Sequence, residues 1–316
     1  MSLTTHRLQV FAAAMGALMS LMASACFTGI ESTPRIKESE VARVERETRR
    51  PEASLMSAVR RSAPAAWQQG VTRLYVTDSK ISLIFSSAST RTDSLAGHTI
   101  TFDRFESAVS VTGAEATDVL FRSDRGDTLH YMVSASTADI LSRERLDVPF
   151  TVDLAMVAQA DSLLRGHTYY VTTPTWIDAA GRAIDCLRHV AVTIDSVGVG
   201  DHNYPLRVYF HRPQESRGYS LLMTVGADRA STRNFDTLFS FADPRKQYPQ
   251  VTDEMWDNII HSRLAEGMTP DEARLAMGTP HEIVKVPSTA GMVERWAYDD
   301  GVYLIFEDGY LTHYRK

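Results

Sequence analysis

Cysteine is nearly absent from this chain: two in 316 residues, Cys26 and Cys186. Two cysteines exclude a disulfide framework, so the folded part must be held by buried apolar surface. An excess of positive charge is lacking too. The 33 Lys and Arg stand against 39 Asp and Glu, a net charge of −6, and this mild acidity speaks against nucleic-acid binding. Beyond residue 26 no apolar run is long enough to cross a bilayer. Catalytic signatures are missing as well. There is no H-E-x-x-H, no G-x-S-x-G, and no glycine pattern for phosphate or dinucleotide binding. Carboxylates are scattered over predicted turns, so no acid–base pair stands out. No catalytic motif, cofactor or metal site is found, and a hydrolase with an unrecognised site in the β-rich units is the least favoured reading. Cys186-Leu187-Arg188-His189 is a lone C-x-x-H without a second half, which points to incidental use rather than zinc. His98 and His167 each follow a glycine before a predicted strand and read as turn or edge residues.

What is present starts at the N-terminus. His6 and Arg7 precede a stretch from Leu8 to Met22 that is apolar apart from Gln9, Gly16 and Ser20, and no Asp or Glu occurs before Glu31. Small residues then lead into Cys26, the pattern of an export signal over residues 1–25. An uncleaved membrane-spanning helix is the other reading of this stretch. Two cleavage routes are open. Ala23-Ser24-Ala25 satisfies the small-residue rule for soluble exported proteins, which would leave Cys26 free to pair with Cys186. Met22-Ala23-Ser24-Ala25-Cys26 also resembles a bacterial lipobox, with Ala23 where a branched apolar residue is usual. That resemblance implies cleavage between Ala25 and Cys26 and acyl chains on Cys26. More than one chain gives stable anchoring where one does not. With one of only two cysteines at this point, the lipid route is preferred.

With 44% hydrophobic and 23% charged residues, the remainder is ordinary for a globular chain. Residues 26–64 read as a tether, because Ile36–Arg50 is dense in charge of both signs and only Val41 and Val44 could make an apolar stripe. Short β-branched and aromatic runs follow: Leu74–Thr77, Ile81–Phe85, Thr99–Phe102, Val109–Val111, Asp118–Phe121 and Leu129–Ser134. Ser123–Asp127 reads as the turn between the last two. A second set includes Val190–Ile194 and Leu206–Phe210. Two sequence matches link the sets. Asp93-Ser94-Leu95-Ala96-Gly97-His98-Thr99 parallels Asp161-Ser162-Leu163-Leu164-Arg165-Gly166-His167-Thr168, and Gly126-Asp127-Thr128-Leu129 parallels Gly218-Tyr219-Ser220-Leu221. These predict two related β-rich units, 65–147 and 148–232, the second led by a helix carrying Met156, Val157 and Leu163/Leu164. The predicted class is α+β.

The last part, 233–316 with a core at 252–316, carries two helices and a hairpin meander. Met255, Trp256, Ile259 and Ile260 share one helical face. Thr269-Pro270-Asp271-Glu272 is a capping box that opens a helix closed by Gly278. Three strands are predicted, at 294–298, 302–306 and 310–314, joined by Asp-Gly turns. Gly267-Met268-Thr269, Glu272, Gly278-Thr279-Pro280 and Glu294-Arg295-Trp296-Ala297-Tyr298 together resemble the SmpA/OmlA (BamE-like) family of outer-membrane lipoproteins. The resemblance covers about a fifth of the chain. It implies an α-α-β-β-β module, an outer-membrane, periplasm-facing location and protein partners among barrel-assembly components. Similar modules occur in β-lactamase inhibitor proteins, so a surface lipoprotein that binds a ligand or inhibits an enzyme is the alternative expectation. Helix capping and core packing account for most motif residues. Tyr303 and Tyr310 are the predicted surface aromatics, hence the candidate interaction surface.

Overall fold

In the computed structural model of the chain, residues 35–37, 55–87, 92–225, 233–288 and 291–316 are described. Residues 1–25, Cys26 and most of the predicted tether lie outside them. The described chain forms two compact units. One falls within Glu47–Gly278; the other holds Thr279–Lys316 and the short strand β1, Arg35–Lys37.

The larger unit begins with a sheet of six antiparallel strands. These are β2 (Arg73–Val76), β3 (Phe85–Ser86), β4 (Thr99–Val109), β5 (Glu115–Arg122), β6 (Thr128–Val133) and, after helix α1 (Thr137–Ser142), β7 (Thr151–Asp153). Their order is β3-β6-β5-β4-β2-β7. Alternation along β4 and β5 sends Ile100, Phe102, Val119 and Phe121 into one core with Trp67, Phe85 and Leu129. Trp67 meets the rings of Phe102, Phe105 and Phe121 at centroid distances of 5.3, 5.9 and 6.0 Å. The turn expected at Ser123–Asp127 is present, with the Gly126 N–H donating to the Ser123 carbonyl at 3.0 Å. Two expectations are corrected. Ile81–Phe85 is mostly a 3-10 turn over Ser79–Leu83, because the Asp78 carboxylate caps it by accepting from the Lys80 N–H at 2.9 Å. Val109 ends β4, whereas Val111 sits in the following turn, which Gly113 N–H closes onto the Ser110 carbonyl.

The second sheet follows helix α2 (Leu154–Leu164), which Asp153 caps through the Ala155 N–H. Its strands are β8 (Thr168–Val171), β9 (Thr175–Ile177), β10 (Ala183–Asp185), β11 (Val190–Val199), β12 (Leu206–His211), β13 (Gly218–Met223) and, after helix α3 (Phe235–Leu238), β14 (Phe239–Ser240). The order is β10-β9-β13-β12-β11-β8-β14. Met156, Ala160 and Leu164 of α2 pack with Val192, Val208, Phe210 and Trp176. Met56 and Val59 are buried in this same core. Part of the segment expected to be tether is therefore folded, because these two apolar side chains find a core to enter. Both sheets also outrun their expected limits, since β7 pairs with β2 and β14 with β8.

The two sheets are copies of one topology. Reading β2, β3, β4, β5, β6, β7 against β8, β9, β11, β12, β13, β14 gives the same strand order in each, with β10 added at one edge. The local details coincide. Gly70 and Gly166 both have positive φ and donate to the Phe102 and Ile194 carbonyls. Thr77 and Thr172 donate to Phe150 and Leu238. The β4–β5 and β11–β12 ladders each slip by one residue, at Asp103 and Asp195. The equivalent residues differ from those the sequence matches had paired. Gly166-His167 corresponds to the start of β2, not to Gly97-His98. On β13, Tyr219 rather than Leu221 stands opposite Phe210, as Leu129 stands opposite Phe121.

Helices α4 (Pro244–Gln247), α5 (Asp253–Ile260) and α6 (Pro270–Met277) close the larger unit. The smaller unit is one antiparallel sheet of β15 (Glu282–Ser288), β16 (Gly291–Ala297), β17 (Tyr303–Glu307) and β18 (Tyr310–Arg315), ordered β1-β15-β16-β17-β18. Three strands had been expected here; β1 and β15 are additional. Pro287 disguises β15 in the sequence, and the structure places it near the hairpin end, opposite Met292. With mostly antiparallel sheets and six described α-helices, the fold is α+β.

Candidate functional site

The capping-box residues do what their chemistry dictates. The Thr269 hydroxyl accepts from the Glu272 N–H at 3.3 Å, and Glu272 Oε2 accepts from the Thr269 N–H at 2.8 Å. Gly267 and Gly278 both adopt positive φ at the two ends of this turn and helix. Met268 and Pro280 are buried. In the smaller unit Trp296 is buried, its Nε1–H donates to Glu294 Oε2 at 3.2 Å, and its ring lies 4.8 Å from that of Phe306. Tyr298 is half-buried and its N–H donates to the Val302 carbonyl. Gly267 through Gly278 belong to the larger unit, and Trp296 and Tyr298 to the smaller.

Tyr303 and Tyr310 are exposed, at 42% and 58%. Strand register places both on the sheet face opposite Trp296. Tyr303 stands across from Ala297 and Arg315, Ile305 from Arg295 and His313, and Tyr310 from Glu307. This face therefore mixes two phenol rings and aliphatic residues with charge of both signs.

Several histidines meet carboxylates on the sheet surfaces. His98 Nδ1 lies 2.6 Å from Asp124, His130 Nδ1 2.6 Å from Asp118, and His211 Nδ1 2.7 Å from Asp195. Ser86 stands opposite His130 in the ladder; Ser86 is exposed and Asp118 buried. His98 and Asp124 line a shallow depression with Ser94, Leu95, Ser123 and Arg125, about 190 Å³ including space open to solvent. That is below the size of an ordinary small-molecule pocket, roughly 300 Å³ or more. His167 is placed differently from His98: it lies along the Tyr169 ring, with Nδ1 near the Arg165 carbonyl. Among the described residues no group of three or more His, Cys, Asp or Glu is placed to hold a metal ion. None of their helices is long and apolar enough to cross a membrane.

Sequence reasoning passed over one cluster. The C-x-x-H tetrad does not close on itself; it reaches the helices. Arg188 Nη1 donates to the Leu275 carbonyl at 3.0 Å and to that of Ala276, and the Arg188 N–H donates to the Ile260 carbonyl at 2.9 Å. His189 Nε2–H donates to the Leu275 carbonyl at 3.0 Å. Two adjacent residues thus serve carbonyls at the C-terminal ends of both α5 and α6, where a cation is favoured. Burial pushes the His189 imidazole down from 6.5 to about 4, with the Leu275 hydrogen bond opposing and the Arg188 charge reinforcing the shift. Cys186 is a free, half-buried thiol at the rim of the second core, and burial raises its pKa. The only hint in the sequence was the Arg-His pair itself, since its partners lie more than eighty residues away. Compared with models of known protein families, with curated proteins and with solved structures, the chain matches none.

Proposed function

We propose that this chain is a lipoprotein of a bacterial outer membrane, held through Cys26 and facing the periplasm, that works as a non-catalytic adaptor in envelope assembly or maintenance. The observation that carries the reading is Cys26 itself, following Ala23-Ser24-Ala25 at the end of an apolar leader. The BamE-like motif string supports the same compartment. So does the element order α5, α6, then a strand meander, although β15 lengthens the α-α-β-β-β pattern by one strand. Tyr303 and Tyr310, exposed on a single sheet face, offer a surface for a protein partner.

Mass spectrometry of the mature N-terminus tests the anchor: the expected product begins at an acylated Cys26, and an unmodified N-terminus overturns it. Pull-down after gentle solubilisation tests the role, with barrel-assembly components expected and their consistent absence counting against it. A second reading, a surface lipoprotein that captures a ligand or inhibits a secreted enzyme, draws on the β4–β5 hairpin. Its tip, Ser107–Ala114, carries no charge and exposes Val109 largely and Val111 fully. Protease shaving of intact cells separates the two, since only an outward-facing protein is cut.

A further inference from the structure

We infer that Arg188–His189 is an acid-sensitive clasp that holds the α5–α6 helix pair to the second sheet, and that protonation of His189 opens it. The geometry has three independent parts. First, the dipeptide is anchored on the sheet: the His189 N–H donates to the Val171 carbonyl of β8, and β11 begins at the next residue. Second, its side chains and the Arg188 N–H hold carbonyls at the C-terminal ends of both helices, Ile260 of α5 and Leu275 and Ala276 of α6. Third, His189 adopts a left-handed backbone, φ +57°, the conformation its counterpart Gly97 adopts at +86° in the first sheet. A side chain at such a position is strained. Here that side chain makes the contact with α6.

The imidazole is neutral in this arrangement. Nε2 carries the hydrogen given to Leu275, so Nδ1 holds a lone pair, and it is shut off from water without a partner. A proton added at Nδ1 would be a buried donor with no acceptor, next to the Arg188 guanidinium. Among the described residues, the charge that acts on the ring is that of Arg188. From α5 the Trp256 ring faces His189 at 6.1 Å, with Arg245 over that same ring; from α6 comes a backbone carbonyl. Burial and Arg188 hold the folded group near 4 against 6.5 when free. The open form therefore binds protons first as pH falls. Stability of the closed form is complete above the free value and is lost from there down to the folded value. Over that window the closed-to-open ratio falls about tenfold per pH unit.

The test is hydrogen–deuterium exchange of the full chain at pH 7 and pH 4.5, corrected for intrinsic exchange rates. Opening of residues 253–260 and 270–277 should rise at least tenfold (an order-of-magnitude threshold) while β5 and β12 stay protected. His189→Asn, neutral and tolerant of left-handed backbone, should abolish that rise. His261→Asn should keep it, because His261 lies at the α5 end against Asp257. Should the asparagine variant fold poorly, His189→Gly serves: its helices should be more open at pH 7 and insensitive to acid. Helix protection that does not depend on pH, or a rise retained in either His189 variant, would overturn the clasp.

Discussion

Gly97 and His189 occupy the same place in two copies of one fold: each precedes the long central strand, each has positive φ, and each donates its N–H to a carbonyl of the neighbouring strand, that of Val76 or Val171. Glycine meets that backbone requirement without strain, and nothing but the Tyr75 hydroxyl oxygen, at 4.0 Å, approaches the space a Cβ would fill. The expected cost of Gly97→Ala is thus conformational, about 1–2 kcal/mol, with Gly97→Asn costing less. Urea unfolding of the two variants measures the difference.

Gly200 is constrained by space instead. A Cβ there would lie 2.0 Å from the Tyr204 carbonyl oxygen, inside the turn that Gly200 N–H closes onto Pro205. Backbone cannot move aside as a side chain can, so Gly200→Ala should cost 2 kcal/mol or more, on the order of an overpacked core. Gly218→Ala, with nothing within 4 Å, should stay within about 0.5 kcal/mol of wild type. Thermal denaturation of the pair makes the comparison.

The duplicated topology predicts matched energetics. Phe121 and Phe210 take equivalent positions opposite Phe102 and Ile194, and both are fully buried. Each Phe→Ala change should cost about 3–5 kcal/mol. Denaturation followed by tryptophan fluorescence can assign the loss, because Trp67 borders Phe121 and Trp176 borders Phe210.

Thr269→Ala removes the hydroxyl that accepts the Glu272 N–H and breaks the reciprocal box. A loss of about 1 kcal/mol is expected, with faster exchange confined to the first turn of α6. Thr269→Ser should restore most of it.

Asp103 lies buried in the ladder slip of β4, where the Gln69 amide donates to Oδ1 at 2.6 Å and the guanidinium groups of Arg104 and Arg122 reach Oδ2. The Gln69 hydrogen bond first, then Arg122 and Arg104, outweigh burial and hold its pKa below the ordinary 3.8. With the folded value depressed, Asp103 contributes stability above the ordinary carboxylate value and loses it as pH falls toward the folded one. Stability of the wild type should therefore drop from pH 5 to pH 3 more steeply than that of Asp103→Asn. Equal slopes in denaturant titrations would falsify this assignment.

Local signals were the most legible part of the fold. The Thr269–Glu272 box, the Gly278 stop and the turn at Ser123–Asp127 are written in neighbouring residues, and their hydrogen bonds span only a few positions. Short apolar runs misled where a polar neighbour redirected the backbone, as Asp78 does before Ile81. The duplication was perceived through matches at Gly97-His98 and Gly218–Leu221 that turned out to be out of register. Strand pairing, not linear resemblance, defines which residues correspond, and a two-residue offset leaves every side chain on the same face.

Composition and short-range pattern by themselves determined that this chain is an α+β protein without a disulfide framework and with a capped helix near its C-terminus. Only the tertiary structure decided that Met56 and Val59 belong to a core, that two sheets repeat one topology, and that Arg188 and His189 meet two helix ends. The physical reason is separation along the chain. Capping and turn formation are settled within a few residues. Burial of Met56 among side chains more than a hundred residues away, or a hydrogen bond from His189 to Leu275, exists only once the whole unit has closed.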